Sequence, residues 1–219
     1  MSSAYGKIPK PITNVSLDKI LPIRKTLRNG AEAVLQAVDP DNVELVNHLR
    51  TLFNGELERG STYPQEEPLT EAQFADYFLS YDAFVLTKDG PIEKGQSYNY
   101  EDKVLGMYYV KPNYPGRCSH ICNAGFFTST SHRGYGAGVA MAETYKILGP
   151  ALGYKASVFN LVFANNESSI KIWRRLGFQE AGRIPEAARL KNSPDQLVDA
   201  IIFYYDFTKK PTPAAPTTA

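Results

Sequence analysis

Neither sign of charge dominates this 219-residue chain: 24 Lys and Arg stand against 23 Asp and Glu, a net charge of +1. Nothing in that balance asks for nucleic acid or an anionic membrane as a partner. Long apolar runs are missing too, since none approaches the roughly eighteen residues of a bilayer-spanning helix. No apolar signal-peptide segment stands near Met1, so an intracellular, cytoplasmic protein is expected. Cysteine is scarce, and Cys118 and Cys122 flank His120 in C-S-H-I-C. On a strand, residues two apart rise by about 6.8 Å, so three alternate ligands do not close on one zinc ion. A disulfide needs Cα atoms within about 7 Å, which an extended five-residue segment does not supply. Both read as reduced thiols, and no metal is expected.

Carboxylates are absent where a site would want them: none occurs from Val104 through Ala142 or from Thr144 through Asn166. The 43% apolar content suits one domain with a substantial core, expected over residues 27–208. Residues 1–26, basic apart from Asp18 and interrupted by Pro9, Pro11 and Pro22, are expected to be a flexible arm, with a mitochondrial address as the sharper alternative. Residues 209–219, K-K-P-T-P-A-A-P-T-T-A, are expected to be disordered. Between them strand and helix signals alternate, the pattern of an α/β sandwich. Strands are expected at Glu32 to Val38, Ala83 to Thr87, Val104 to Val110, His120 to Thr128, Ala156 to Phe163, Phe178 to Arg183 and Leu197 to Phe207. Helices are expected after the cap at Asp39 to Asn42 as far as Gly60, from the cap at Thr70, from the glycine loop to a stop at Gly149-Pro150, and from Asn166 to Leu176. The segment from Lys88 to Asp102 reads as a polar loop.

His132 to Gly138, H-R-G-Y-G-A-G, stands between a strand and a helix. Gly134, Gly136 and Gly138 let the backbone approach a ligand, and the following helix turns its unpaired N–H groups and positive end toward it. That is a cradle for a diphosphate, with Arg133 at its mouth. A nucleoside-triphosphate loop is excluded because no Lys follows the glycines. The dinucleotide fingerprint is excluded because it would need a glycine at Val139. A second landmark, N-E-S-S-I-K-I-W-R-R-L-G-F from Asn166 to Phe178, has a capping Asn at its start and a Gly suited to the αL position at its end.

The first landmark, R-x-x-G-x-G, resembles the coenzyme A pyrophosphate loop of the GNAT acyltransferases, and the second resembles their second coenzyme A motif at the usual distance downstream. Lys111 to Phe126, Gly153 to Phe163 and Gly60 to Gln65 resemble more closely the fungal proline-analogue acetyltransferases, over about Leu27 to Phe207. The resemblance implies an α/β GNAT fold. It implies a mixed, mostly antiparallel, twisted sheet of about seven strands splayed between the fourth and fifth, flanked by helices, and a homodimer. It implies acetyl-CoA held by Phe127, Thr128, Arg133, Gly134, Tyr135, Gly136, Ala137, Gly138, Asn166 and Trp173. It also implies that the nitrogen of L-azetidine-2-carboxylate, or of a proline-pathway metabolite such as pyrroline-5-carboxylate or glutamate semialdehyde, is acetylated, conferring resistance to toxic analogues and oxidative stress.

Acyl transfer needs an unprotonated amine near the thioester, donors for the oxyanion and relief of the departing thiolate. A wall without carboxylates suits an acceptor that carries one, a small imino or amino acid. By the resemblance, Asn123, Phe126, Asn160 and Leu161 contact that substrate. Asn123 aligns the attacking nitrogen, since an amide is no base, or else merely satisfies a bulge. Backbone N–H groups around Phe127 and Thr128 are the candidates for polarising the thioester. Trp173 stands where many GNAT enzymes place an acidic Tyr, so Asn166 or solvent must relieve the thiolate. His120 and His132 are the local alternatives to a carboxylate base. A GNAT acting on a peptide N-terminus and a non-catalytic coenzyme A module remain open.

Overall fold

Strands β4 (Val104–Pro112) and β5 (Ile121–Thr128) are apolar on both faces, as strands covered from both sides must be. Tyr108, Val110, Cys122 and Ala124 pack with Met141 and Tyr145 of helix α4 (Ala137–Ala151) and Trp173 of α5 (Glu167–Arg175). The alternate residues Met107, Tyr109 and Phe127 pack on the other face with Leu49 and Phe53 of α1 (Val43–Arg59), Phe74 of α2 (Glu71–Phe74) and Phe78. The sheet thus separates two cores. The computed structural model describes residues 8–209. None of its helices is long and apolar enough to cross a membrane.

Eight strands form one mixed sheet in the order β1-β2-β3-β4-β5-β6-β8-β7. The others are β1 (Ile23–Thr26), β2 (Glu32–Ala37), β3 (Asp82–Lys88), β6 (Ala156–Phe163), β7 (Gln179–Ala188) and β8 (Val198–Asp206). Every neighbouring pair is antiparallel except β5 and β6, which run parallel and pair only at Ile121 with Ala156 and at Cys122 with Ser157. Beyond that point the sheet forks. Counted without β1, the fork lies between the fourth and fifth strands, as the family resemblance implies.

The helix ends follow local chemistry. Asn42 caps α1 by accepting from Leu45 N–H at 3.0 Å, Thr70 and Gln73 form a reciprocal capping box on α2, and Asn166 caps α5 by accepting from Ser169 N–H at 3.2 Å. Gly177, at φ +84°, ends α5 in the left-handed region, where Phe178 N–H reaches Trp173 O at 3.0 Å and Gly177 N–H reaches Arg174 O at 3.1 Å.

Three boundaries differ from expectation. The segment expected as an arm through residue 26 ends in a strand: β1 adds an edge to the sheet, and Ile8 is buried. Pro22 and the basic residues of I-R-K-T disguise it, because an edge strand needs neither two apolar faces nor a full set of ladder bonds. Helix α4 runs through Gly149-Pro150 instead of stopping there. The N–H that proline lacks falls in the last turn, and Leu152 N–H to Leu148 O at 2.9 Å closes the helix after it. Within the expected loop 88–102, Tyr100–Lys103 begins at Tyr100 as a short helix, α3. The expected tail lies, apart from Lys209, outside the described residues.

Asn42 does more than cap: its side chain also exchanges hydrogen bonds with Tyr100 Oη at 3.1 and 3.2 Å. Asn42→Ala should therefore cost about 1–2 kcal/mol, at the upper end for a cap. Urea unfolding would show this as a lower midpoint with an unchanged slope.

Candidate active site

The fork between β5 and β6 opens into a cavity of about 500 Å³. Two features shape it. In β6 the register with β8 slips between Phe159 and Val162, a bulge that leaves Asn160 and Leu161 out of the ladder and facing the opening. In β5 the ladder alternates: Asn113 N–H bonds Ile121 O at 2.8 Å and Ser129 N–H bonds Leu105 O at 3.0 Å. Regular alternation between those points turns the odd-numbered amides, Phe127 included, toward β4, and turns those of Phe126 and Thr128 toward the fork. Phe127 is thus a ladder residue whose ring is packed on Phe53 at 4.8 Å between centroids. Of the two amides expected to face the thioester, that of Phe127 is therefore turned into the ladder, while that of Thr128, with that of Phe126, faces the fork.

Across the fork lies a network of three asparagine side chains. Asn113 Oδ1 accepts from Asn123 Nδ2 at 3.0 Å and from Asn160 Nδ2 at 2.7 Å, while Asn113 Nδ2 donates to Asn160 Oδ1 at 3.1 Å. Asn123 lines the cavity with its carbonyl oxygen unpartnered among the described residues. Beside it, three tyrosines from distant segments meet at their hydroxyls. Tyr63 and Tyr77 each lie within 3.0 Å of Tyr109 Oη, at 2.9 and 3.0 Å. Burial first, then the neighbouring hydroxyls, hold Tyr63 and Tyr109 well above the ordinary tyrosine value, so both stay neutral phenols. Gly125 is what lets Tyr63 in: a Cβ there would lie 2.2 Å from Tyr63 Oη. Tyr77 rides on a wide π turn, Ala75–Leu79, that continues α2.

On the other face of the sheet the glycine loop delivers α4. Gly134 and Gly136 have φ of +84° and +97°, and the space beside Gly134 is open. The N–H groups of Ala137, Gly138 and Val139 have no acceptor among the described residues, while Ala140 N–H begins the helical pattern at Gly136 O. Three free donors at the positive end of a fifteen-residue helix fit a diphosphate. The loop's carbonyls are tied on the far side by Arg28, whose N–H bonds Tyr135 O at 3.1 Å and whose Nη2 bonds Gly134 O at 2.8 Å. Gly138 packs near Thr128 Oγ1 and Ile172, which joins the loop to the end of β5. Arg133 is less free than its place suggested, with Nη2 3.5 Å from Glu56 Oε2.

Trp173 and Asn166 both line the cavity. Trp173 is wall: its ring lies 5.0 Å from Phe126 and 4.5 Å from Phe159, and its indole N–H is spent on Ser169 Oγ at 2.8 Å. Asn166 uses Oδ1 for its cap, and its Nδ2 has no partner among the described residues. His120 is exposed away from the cavity, and His132 is buried beside Ser129, so neither reaches the site. No cluster of three potential metal ligands occurs among the described residues. The cavity's carboxylate is Asp76, exposed at the rim. Sequence reasoning passed over Asn113, Tyr63, Tyr77, Tyr109 and Lys111. The available signal was the row Tyr109, Lys111, Asn113, polar tips on one face of an otherwise apolar strand.

A family model described as the acetyltransferase (GNAT) family matches residues 48–178. N-acetyltransferase aca1 of Schizosaccharomyces pombe is 43% identical over 170 residues, which is 75% of this chain and 81% of that protein. Among solved structures, a GCN5-related N-acetyltransferase from Kribbella flavida is 24% identical, with a TM-score of 0.66 over 78% of this chain and 97% of that one. A GNAT superfamily phosphinothricin acetyltransferase from Sinorhizobium meliloti, in complex with acetyl-CoA, is 19% identical, with a TM-score of 0.65 over 84% of this chain and 96% of that one. These two share the fold.

Cys122 sits where β5 and β6 last pair, its Sγ 3.0 Å from Tyr145 Oη, and burial pushes its thiol up to about 12. Cys118 is exposed. At pH 8 Cys122 remains protonated and enclosed, so a colorimetric thiol reagent should titrate one equivalent in the native protein and the second only after denaturant is added.

Proposed function

We propose that this chain, which belongs to the acetyltransferase (GNAT) family, moves the acetyl group of acetyl-CoA onto the nitrogen of a small proline-like imino acid, such as L-azetidine-2-carboxylate or a proline-pathway metabolite. The carrying observation is the asparagine network at the fork. It sets a free amide oxygen, Asn123 Oδ1, against a bulge whose backbone N–H groups suit a carboxylate, in a cavity whose only carboxylate among the described residues is on its rim.

Acetyl-CoA supplies the activated acetyl group as a thioester. The open N–H groups of Ala137, Gly138 and Val139 suit its diphosphate, and the chain from Gly138 past Thr128 to Phe126 leads from there to the cavity. The Phe126 and Thr128 amides polarise the carbonyl, and such a donor is worth on the order of 3 kcal/mol in the transition state. Asn123 Oδ1 accepts an N–H of the incoming amine and aims its lone pair at the carbonyl carbon. As the new C–N bond forms and the C–S bond breaks, the nitrogen gives its proton to solvent. Asn166 Nδ2 donates to the thiolate until solvent protonates it. Tyr63 and Tyr109, held neutral by burial, supply no phenolate base.

Two measurements test this. Coenzyme A at about 100 times its dissociation constant should stabilise the protein by about 2.7 kcal/mol, while NAD and ATP raise its melting temperature far less. Free thiol should be released from acetyl-CoA in the presence of azetidine-2-carboxylate, and Asn123→Ala should slow that release by about a hundredfold through lost positioning while leaving the melting temperature within a few degrees. Thiol release with peptides but not with imino acids would overturn the substrate. A variant that unfolds before it slows would return Asn123 to a structural role.

A further inference from the structure

Among the described residues the cavity is lined by one cation, Lys111, and it has no counter-ion there. Its position is set by register: Lys111 lies directly opposite Asn123 across β4 and β5, so both side chains leave the same face of the sheet at the fork. The ammonium stands over two of the three clustered tyrosines, 4.3 Å from the Tyr77 ring centre and 4.7 Å from that of Tyr109. The hydroxyls of those rings are occupied with one another, so what they offer Lys111 is π faces. Such faces hold an ammonium in place and leave its N–H donors unspent. Lys103 and Lys146 also stand over tyrosine rings, but each donates to a backbone carbonyl, of Asp89 at 3.3 Å and of Leu176 at 2.9 Å, whereas Lys111 has neither such an acceptor nor a carboxylate within 4.0 Å among the described residues. Asp76, at the rim of the same cavity, lies beyond that distance.

A half-buried positive charge with free donors, beside the amide that would aim the acceptor nitrogen, attracts an anionic substituent of the acceptor and repels a cationic one. We propose that Lys111 is the specificity-determining residue of the acceptor cavity, binding the substrate's own carboxylate and excluding amines that lack one. The inference rests on the reading of this cavity as the acceptor site. It adds a charged contact to the backbone donors at the Asn160–Leu161 bulge, and it predicts a preference independent of whether the amine is cyclic.

The test crosses the enzyme's charge with the substrate's. Azetidine-2-carboxylate, proline and an acyclic amino acid panel would each be assayed as the free acid and as the carboxamide, with wild type, Lys111→Met and Lys111→Arg. All three proteins would be checked by thermal melting. Wild type should favour the acids. Lys111→Met should lose about 10- to 100-fold in kcat/KM on the acids, mostly through KM, and change little on the amides. Lys111→Arg should keep most of the preference. Equal losses on acids and amides, or an acid preference that survives in Lys111→Met, would overturn the role of Lys111 while leaving the imino-acid reading intact. A charge-dependent preference seen only with acyclic acids would sustain Lys111 and overturn the imino-acid reading. A wild-type preference for amides or polyamines would overturn the inference outright.

Discussion

Two neighbouring strands that stop pairing part-way along their length are the constraint on which this site depends. After Cys122 and Ser157, β5 and β6 no longer share hydrogen bonds, so each must find other use for the backbone and side-chain groups it turns into the gap. Asn113 answers part of that need by bonding a side chain from each arm of the fork, Asn123 and Asn160. A rigid amide bridge fixes the width of the opening. The bulge at Asn160 and Leu161 bends β6 away while keeping its outer residues in register with β8.

The two cores present different groups to the opening. The core under α4 and α5 presents a helix N-terminus, a loop of glycines and an aromatic wall, which is what a long, phosphorylated carrier with a greasy arm requires. The core under α1 and α2 presents tyrosine hydroxyls, an ammonium and amides, which suits a small polar acceptor. The two sides of the sheet meet where it is open, because elsewhere the ladder and two layers of side chains keep them apart. The lack of carboxylates along β4, β5 and β6 is a property of both sides of that opening.

What was legible in the sequence was local. Asn42, Thr70 and Asn166 announce helix starts because a short polar side chain can reach the next turn's N–H, and Gly134, Gly136 and Gly177 do take positive φ. The family motifs brought the fork and Asn123 with them. What was not legible depended on register and distance. The choice between Phe126 and Phe127 as a donor turns on ladder parity, which no single strand reveals. Tyr63, Tyr77 and Tyr109 belong to a loop, a π turn and a strand that meet only after folding. Strand β1 escaped because an edge carries a weaker hydrophobic signature than a central strand.

The bracing of the glycine loop by Arg28 ties two regions of unequal robustness. Arg28 stands in the short connection between β1 and β2, at the sheet's outermost and shortest hairpin, where local opening is easiest. Whenever that hairpin frays, the loop loses the two bonds that keep its carbonyls turned outward, and its amides are no longer preset for an anion. An anion held by those amides would therefore be thermodynamically coupled to the protection of the β1 amides against solvent exchange, though no residue of β1 need touch it.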